Sequence, residues 1–229
     1  MKYLILILSL FIFSLGNAQN IPLDDLVPVK LYKTTEDYVN KNPMDINAAV
    51  LIKEESRQHI KIKNIYNLNT GKKINKILSA WAIEYKEGVY YNLMYSNDVK
   101  HFKSFAKFDI EGRYCAVIVN ENSPYILKTN SNFYGGGVVG VLAKESHKWN
   151  KNWVDQYNLK VKILLVDTQD IEADLGVRKK YVLGDYLSRK KLEDILSELG
   201  ITLTVEKMKD VKFEKVIEII ERANIKSLN

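Results

Sequence analysis

The chain has 229 residues, 46% of them hydrophobic and 27% charged, with 11 Gly, 4 Pro, one Cys and a formal net charge of +6. These proportions exclude a disordered chain, a collagen, a disulfide-stapled miniprotein and a many-spanning membrane protein. The modest basic excess has no nucleic-acid motif beside it, so nucleic acid is not an expected partner.

Residues 1–18 read as a Sec signal peptide. Lys2 supplies the positive start, Leu4 to Leu15 the apolar stretch, and Gly16 and Ala18 the small residues before a cut at Gln19. An apolar helix of that length rises about 18 Å, short of a hydrocarbon core of roughly 30 Å, and so does not span once cleaved. No Cys follows the cut, so a lipoprotein is not expected, and the address is periplasm, cell surface or medium. Cleavage removes one lysine and no acid, lowering the net charge to +5. Residues 19–30, with Pro22, Pro28 and the acidic pair Asp24-Asp25, read as a linker or N-terminal arm. A single α+β domain is expected over 31–229, β-rich to about 167 and helical from about 185.

Thr34 is placed to cap a short helix whose first turn holds Glu36 and Asp37, with Asn42-Pro43 ending it. Strands follow over 46–53 and 59–66. Trp81 to Tyr85 alternates, with Trp81, Ile83 and Tyr85 on one face, and Lys86-Glu87-Gly88 turns the chain back into 89–95. Asn97-Asp98 makes the next turn. In 100–110 Phe102, Ala106, Phe108 and Ile110 oppose His101, Lys103, Lys107 and Asp109, and Glu111-Gly112 leads to a strand ending at Asn120. Short turns between strands predict an antiparallel β-meander. Val161 to Asp167 reads as a buried strand and Arg178 to Leu183 as a shorter one. Ser188 caps a helix to Leu199, with Gly200 beyond it, and Asp210 caps a second to about Asn224; both carry apolar residues at i, i+3, i+4 and i+7 spacing. The expected fold class is therefore α+β, an antiparallel β-meander followed by a C-terminal pair of amphipathic helices.

Candidate chemistry is sparse. Gly135-Gly136-Gly137-Val138-Val139-Gly140 satisfies G-x-G-x-x-G, but a polar Asn/Ser/Asn stretch precedes it where a nucleotide site needs a strand. It reads instead as a tight turn or a binding flap, with Phe133, Tyr134, Gly135, Gly136, Gly137 and Gly140 as candidate binding residues. Trp149 and Trp153, four apart in a polar setting, are the pair best spaced for stacking on a carbohydrate, with packing as the alternative. His59, His101 and His147 show no metal-ligand spacing, so neither a metal nor another cofactor is expected. Cys115 lies in an apolar run and reads as buried and inert. No G-x-S-x-G occurs, and Asp167 and Asp170, after the buried strand, are the weak catalytic nominees for a carboxylate pair. Arg178-Lys179-Lys180 and Arg189-Lys190-Lys191 read as solvated basic surface, with peripheral contact to an anionic envelope surface open to them.

Asn17-Ala18-Gln19, the stretch Thr34-Thr35-Glu36-Asp37-Tyr38-Val39-Asn40-Lys41-Asn42-Pro43, the meander, the glycine segment and Leu165-Val166-Asp167-Thr168 together resemble uncharacterised exported proteins common in Bacteroidetes. The resemblance implies export and a fold, and brings no catalytic residues. The expected function is a non-enzymatic envelope or secreted module that binds an unknown envelope partner or small ligand. The alternative is a hydrolase acting on envelope or extracellular polymers through its carboxylates.

Overall fold

Two three-stranded antiparallel meanders close on each other. A computed structural model describes residues 23–44, 47–74, 80–96, 103–120, 153–170, 173–174, 177–178, 181–201 and 210–228. Residues 1–18, expected to be a signal peptide, the Asn97-Asp98 turn, His101, His147 and the glycine segment lie outside the described residues. The first meander is β1 (Val27–Tyr32), β2 (Ala48–Glu55) and β3 (His59–Asn67), with the short β4 (Lys73–Ile74) on its outer edge. The second is β5 (Ala82–Tyr85), β6 (Gly88–Asn92) and β7 (Ser104–Lys107). β1 pairs with β5 and β3 with β7, which makes the sheet barrel-like. Val27 to Lys30, read from sequence as the end of a linker or N-terminal arm, are part of β1; alternation with inward Val29 and Leu31 outweighs the proline, which sits at the second strand position.

A second sheet follows: β8 (Tyr114–Asn120), β9 (Trp153–Val154), β10 (Lys160–Asp167) and β13 (Asp185–Tyr186), with β10 central. β11 (Ala173–Asp174) and β12 (Val177–Arg178) form a separate ribbon, so the strand expected at 178–183 is shorter and starts earlier. β8 therefore leaves the meander that was expected to continue through it, and pairs with β10 over seven residues. Helix α1 (Thr35–Val39) follows β1, while α2 (Arg189–Glu198) and α3 (Phe213–Lys226) end the chain and pack on the second sheet. The fold is α+β, as expected.

Side-chain alternation explains the layering. Ile83, Tyr85, Tyr90 and Phe105 point into the barrel with Val29, Leu31, Val50 and Ile62. Ala82, Tyr91 and Ala106, their neighbours in sequence, point outward onto Cys115, Val117 and Val119 of β8. Both faces of β5 to β7 are thus buried, so the expected one-sided alternation holds only in part; Trp81 packs with the outward set instead of with Ile83. The seam between barrel and second sheet is aromatic: Trp81 lies 5.2 Å from Tyr91 and 5.4 Å from Tyr38, and its indole N–H donates to the Val182 carbonyl at 3.0 Å. On the other face of the second sheet Tyr114, Ala116, Ile163 and Leu165 meet Leu192, Ile195, Val216 and Ile220 of the helices.

Local chemistry sets the ends. Thr34 and Asp37 form a reciprocal capping box on α1. Ser188 Oγ accepts from Lys191 N–H at 3.2 Å on α2, and Gly200 follows its end with φ +73°. α3 departs from expectation: it starts at Phe213, and its N-cap position is Lys212, not Asp210, with no side-chain cap. In the β5–β6 hairpin the left-handed residue is Lys86 (φ 51°); Gly88 belongs to β6, where a Cβ would meet the Lys107 side chain at 2.4 Å.

Candidate functional site

The hairpin between β9 and β10 is built by one aspartate. Asp155 Oδ1 accepts the backbone N–H groups of Tyr157 (2.9 Å) and Leu159 (2.8 Å), and Asn158 takes the left-handed conformation that closes the loop. Gln156 N–H donates to Glu214 Oε1 at 2.9 Å, tying the hairpin to the first turn of α3. The first residue of α2, Arg189, lays its guanidinium over the Trp153 ring, 5.0 Å from the centroid. These three elements enclose a pocket of about 240 Å³ whose wall includes Trp153, Asp155, Arg189, Asp210, Val211 and Lys212. That is smaller than the roughly 300–1,000 Å³ of drug-sized sites and suits a small ligand or one group of a larger one.

Trp153, one of the residues expected to bind, therefore stands at the pocket, but not as a stacking platform. Its side chain is 1% exposed, and Arg189 covers a ring face. Among the described residues its buried indole N–H meets no hydrogen-bond acceptor. Arg189 is half-buried, and desolvation lowers its pKa from the usual arginine value. Nearby Val154, Tyr157 and Leu159 are exposed apolar side chains on the same hairpin. Sequence reasoning placed Arg189 and Lys212 in solvent or gave them no role; no local pattern reveals that residues 153, 189 and 212 meet. The other binding nominees, Phe133, Tyr134, Gly135, Gly136, Gly137, Gly140 and Trp149, lie outside the described residues.

Asp167 and Asp170 meet in a turn at the end of β10, where Asp170 N–H donates to the Asp167 carbonyl at 3.0 Å. The Asp167 carboxylate is buried and doubly neutralised, 3.4 Å from Arg113 Nε and 3.2 Å from Lys191 Nζ. Arg113 also pairs with Glu198 at 2.8 Å, and Tyr114 OH donates to Glu198 at 2.9 Å. This network pins α2 to the edge of the second sheet. Asp170 is exposed. With its oxygens taken by Arg113, Lys191 and the Gln169 N–H, the Asp167 carboxylate is engaged in holding the fold together, so the arrangement reads as structural.

A wider depression of about 490 Å³ at the barrel end is lined by charged residues including Glu55, Arg57, Lys86 and Lys107. Glu55 there already bonds Lys86 and Tyr85. Cys115 is fully buried, its thiol 3.2 Å from the Gly112 carbonyl and 3.6 Å from Tyr38 OH, and burial pushes its pKa up to about 11. Among the described residues no three His, Cys, Asp or Glu side chains gather to hold a metal ion, and no helix is long and apolar enough to cross a membrane. No curated protein and no solved structure matches the chain. One family model does, over residues 30–198, a span that holds the barrel apart from the first three residues of β1, the second sheet and α2, and stops short of α3. By that match the chain belongs to a family of unknown function, DUF6563.

Proposed function

We propose that the protein is an exported, non-enzymatic binding module whose ligand site is the pocket between the β9–β10 hairpin and the starts of α2 and α3. The observation that carries the reading is the pocket itself, about 240 Å³ between the hairpin and the two helix starts. The location rests on the signal-like residues 1–18, and the ties to exported Bacteroidetes proteins rest on the resemblance described above.

The test is native mass spectrometry of the mature chain purified from the envelope of its own host, beside a Val211→Trp variant that fills the pocket. Extra mass on the wild type that disappears in the variant is expected. Bare chain mass in both would overturn the reading. Recovery of the protein from the cytoplasmic fraction with residues 1–18 attached would overturn the exported part of it.

A further inference from the structure

The β9–β10 hairpin carries an apolar surface that extends beyond the pocket. Among the described residues seven large hydrophobic side chains are exposed, and three of them, Val154, Tyr157 and Leu159, sit on this one turn, Tyr157 at 73% exposure. Scattered singly such residues are ordinary; gathered within six positions they mark a contact surface. The turn beneath them is sealed, because the N–H groups of residues 155 to 159 all find acceptors within the protein. Asp155 N–H donates to the Leu159 carbonyl at 3.1 Å, and Asn158 N–H to the Asp155 carbonyl at 3.0 Å. Asp155 Oδ1 accepts from Tyr157 and Leu159, and Glu214 Oε1 from Gln156. A turn whose backbone donors are already matched can meet an apolar medium without stranding them.

Area and charge select the partner. Three partly exposed side chains fall well short of the about 800 Å² that each partner gives to a standard protein interface. A lipid surface asks for no matching shape. Tyr157 has the amphipathic ring favoured where hydrocarbon meets headgroups. Lys160 is the register partner of Val154 and so shares its face of the sheet, and Lys212 lines the pocket beside Val154. Both lysines are exposed, and such side chains lay an apolar stem on the hydrocarbon side while the ammonium stays among headgroups. The charges around the turn balance, Lys160, Arg189 and Lys212 against Asp155, Asp210 and Glu214, so the contact draws on apolar burial more than on lipid charge. Gln156 and Asn158, exposed on the same turn, keep it at headgroup depth.

We infer that the β9–β10 turn is a membrane-contact element: Val154, Tyr157 and Leu159 enter the headgroup region of a phospholipid bilayer, with little dependence on the charge of its lipids. This goes beyond the pocket and does not rest on it. The host-purified mass reads the pocket and vesicle binding reads the turn, so either can fail alone.

The experiment is co-sedimentation of the mature chain, lacking residues 1–18, with phosphatidylcholine vesicles and with vesicles that also contain phosphatidylglycerol. The expected result is binding to both kinds, and at least fivefold weaker binding when Tyr157→Ser and Leu159→Ser are combined. Both side chains are exposed, and the N–H groups that Asp155 holds remain in the variant. Should the pair misfold by circular dichroism, Tyr157→Ser alone carries the test. Val39→Ser, which removes an exposed apolar side chain from α1, should bind as the wild type does. Wild type left in the supernatant with both kinds of vesicle would overturn the inference, as would binding undiminished in the turn variant or equally diminished in Val39→Ser. Binding confined to phosphatidylglycerol vesicles would overturn the apolar contact in favour of basic surface. Wild type that ignores vesicles but forms dimers the turn variant lacks would overturn it in favour of a second copy of the chain.

Discussion

Asn224 does for β8 what a neighbouring strand would do. Tyr114 N–H donates to its Oδ1 at 2.7 Å, and its Nδ2 donates to the Tyr114 carbonyl at 3.0 Å, so one helical side chain completes a buried stretch of strand edge. Gly112 is required beside it: its φ of +152° suits glycine, and a Cβ there would sit 2.6 Å from the Asn224 amide carbon. Asn224→Ala should cost about 1–3 kcal/mol, since it strands a buried donor and acceptor. Urea denaturation checks this, and an unchanged midpoint would contradict it. A second residue-scale prediction concerns pH. The Cys115 thiol is raised by burial from 9.0 to about 11, and burial also raises Tyr38, Tyr91 and Tyr114. Between pH 9 and 11 the unfolded chain releases a thiol proton that the folded chain keeps, so this contribution to stability is fully present below pH 9 and falls as pH rises. The melting temperature should drop over that range, by less in Cys115→Ala, and the native thiol should resist a disulfide reagent at pH 8. Rapid native labelling would contradict the burial. Cys115 as an inert core residue was legible from the apolar run around it. The neutralisation of Asp167 was not, because Arg113 and Lys191 lie 54 and 24 residues away in sequence.

At the scale of elements, the caps were readable where a side chain makes them. Thr34 and Ser188 each cap a helix through a residue three positions on, a pattern written locally in the sequence. Thr34→Ala should therefore lower stability by about 1 kcal/mol, measurable as a shift in thermal midpoint. The start of α3 was misplaced for the opposite reason: Asp210 has the right chemistry, but the helix begins at Phe213 and nothing caps it. Lys212→Ser should supply the missing cap and stabilise the protein by about 0.5–2 kcal/mol. Thermal unfolding of the variant beside the wild type checks this, and an unchanged midpoint would contradict it.

For the whole molecule, the second sheet is the shared layer, with the barrel on one face and the helix pair on the other. Trp81 and Tyr91 fill the first interface, and Leu192, Ile195, Val216 and Ile220 the second. Trp81→Ala should cost about 3–5 kcal/mol, through lost burial and the cavity left behind. It should lower the tyrosine near-UV signal and the far-UV signal in one transition, since the barrel and the second sheet share that core. Separate transitions would show two independent units. The class of fold was legible from alternation and helical stripes. The barrel closure was not, since β1 pairs with β5 across about fifty residues that carry no mark of that pairing. The pocket escaped for the same reason, being assembled from a hairpin and two helix starts distant in sequence. The most direct test of the account is a crystal structure of the protein purified from its own host. Density for a bound ligand in the pocket lined by Trp153, Arg189, Val211 and Lys212 is the predicted result. An empty pocket would contradict it.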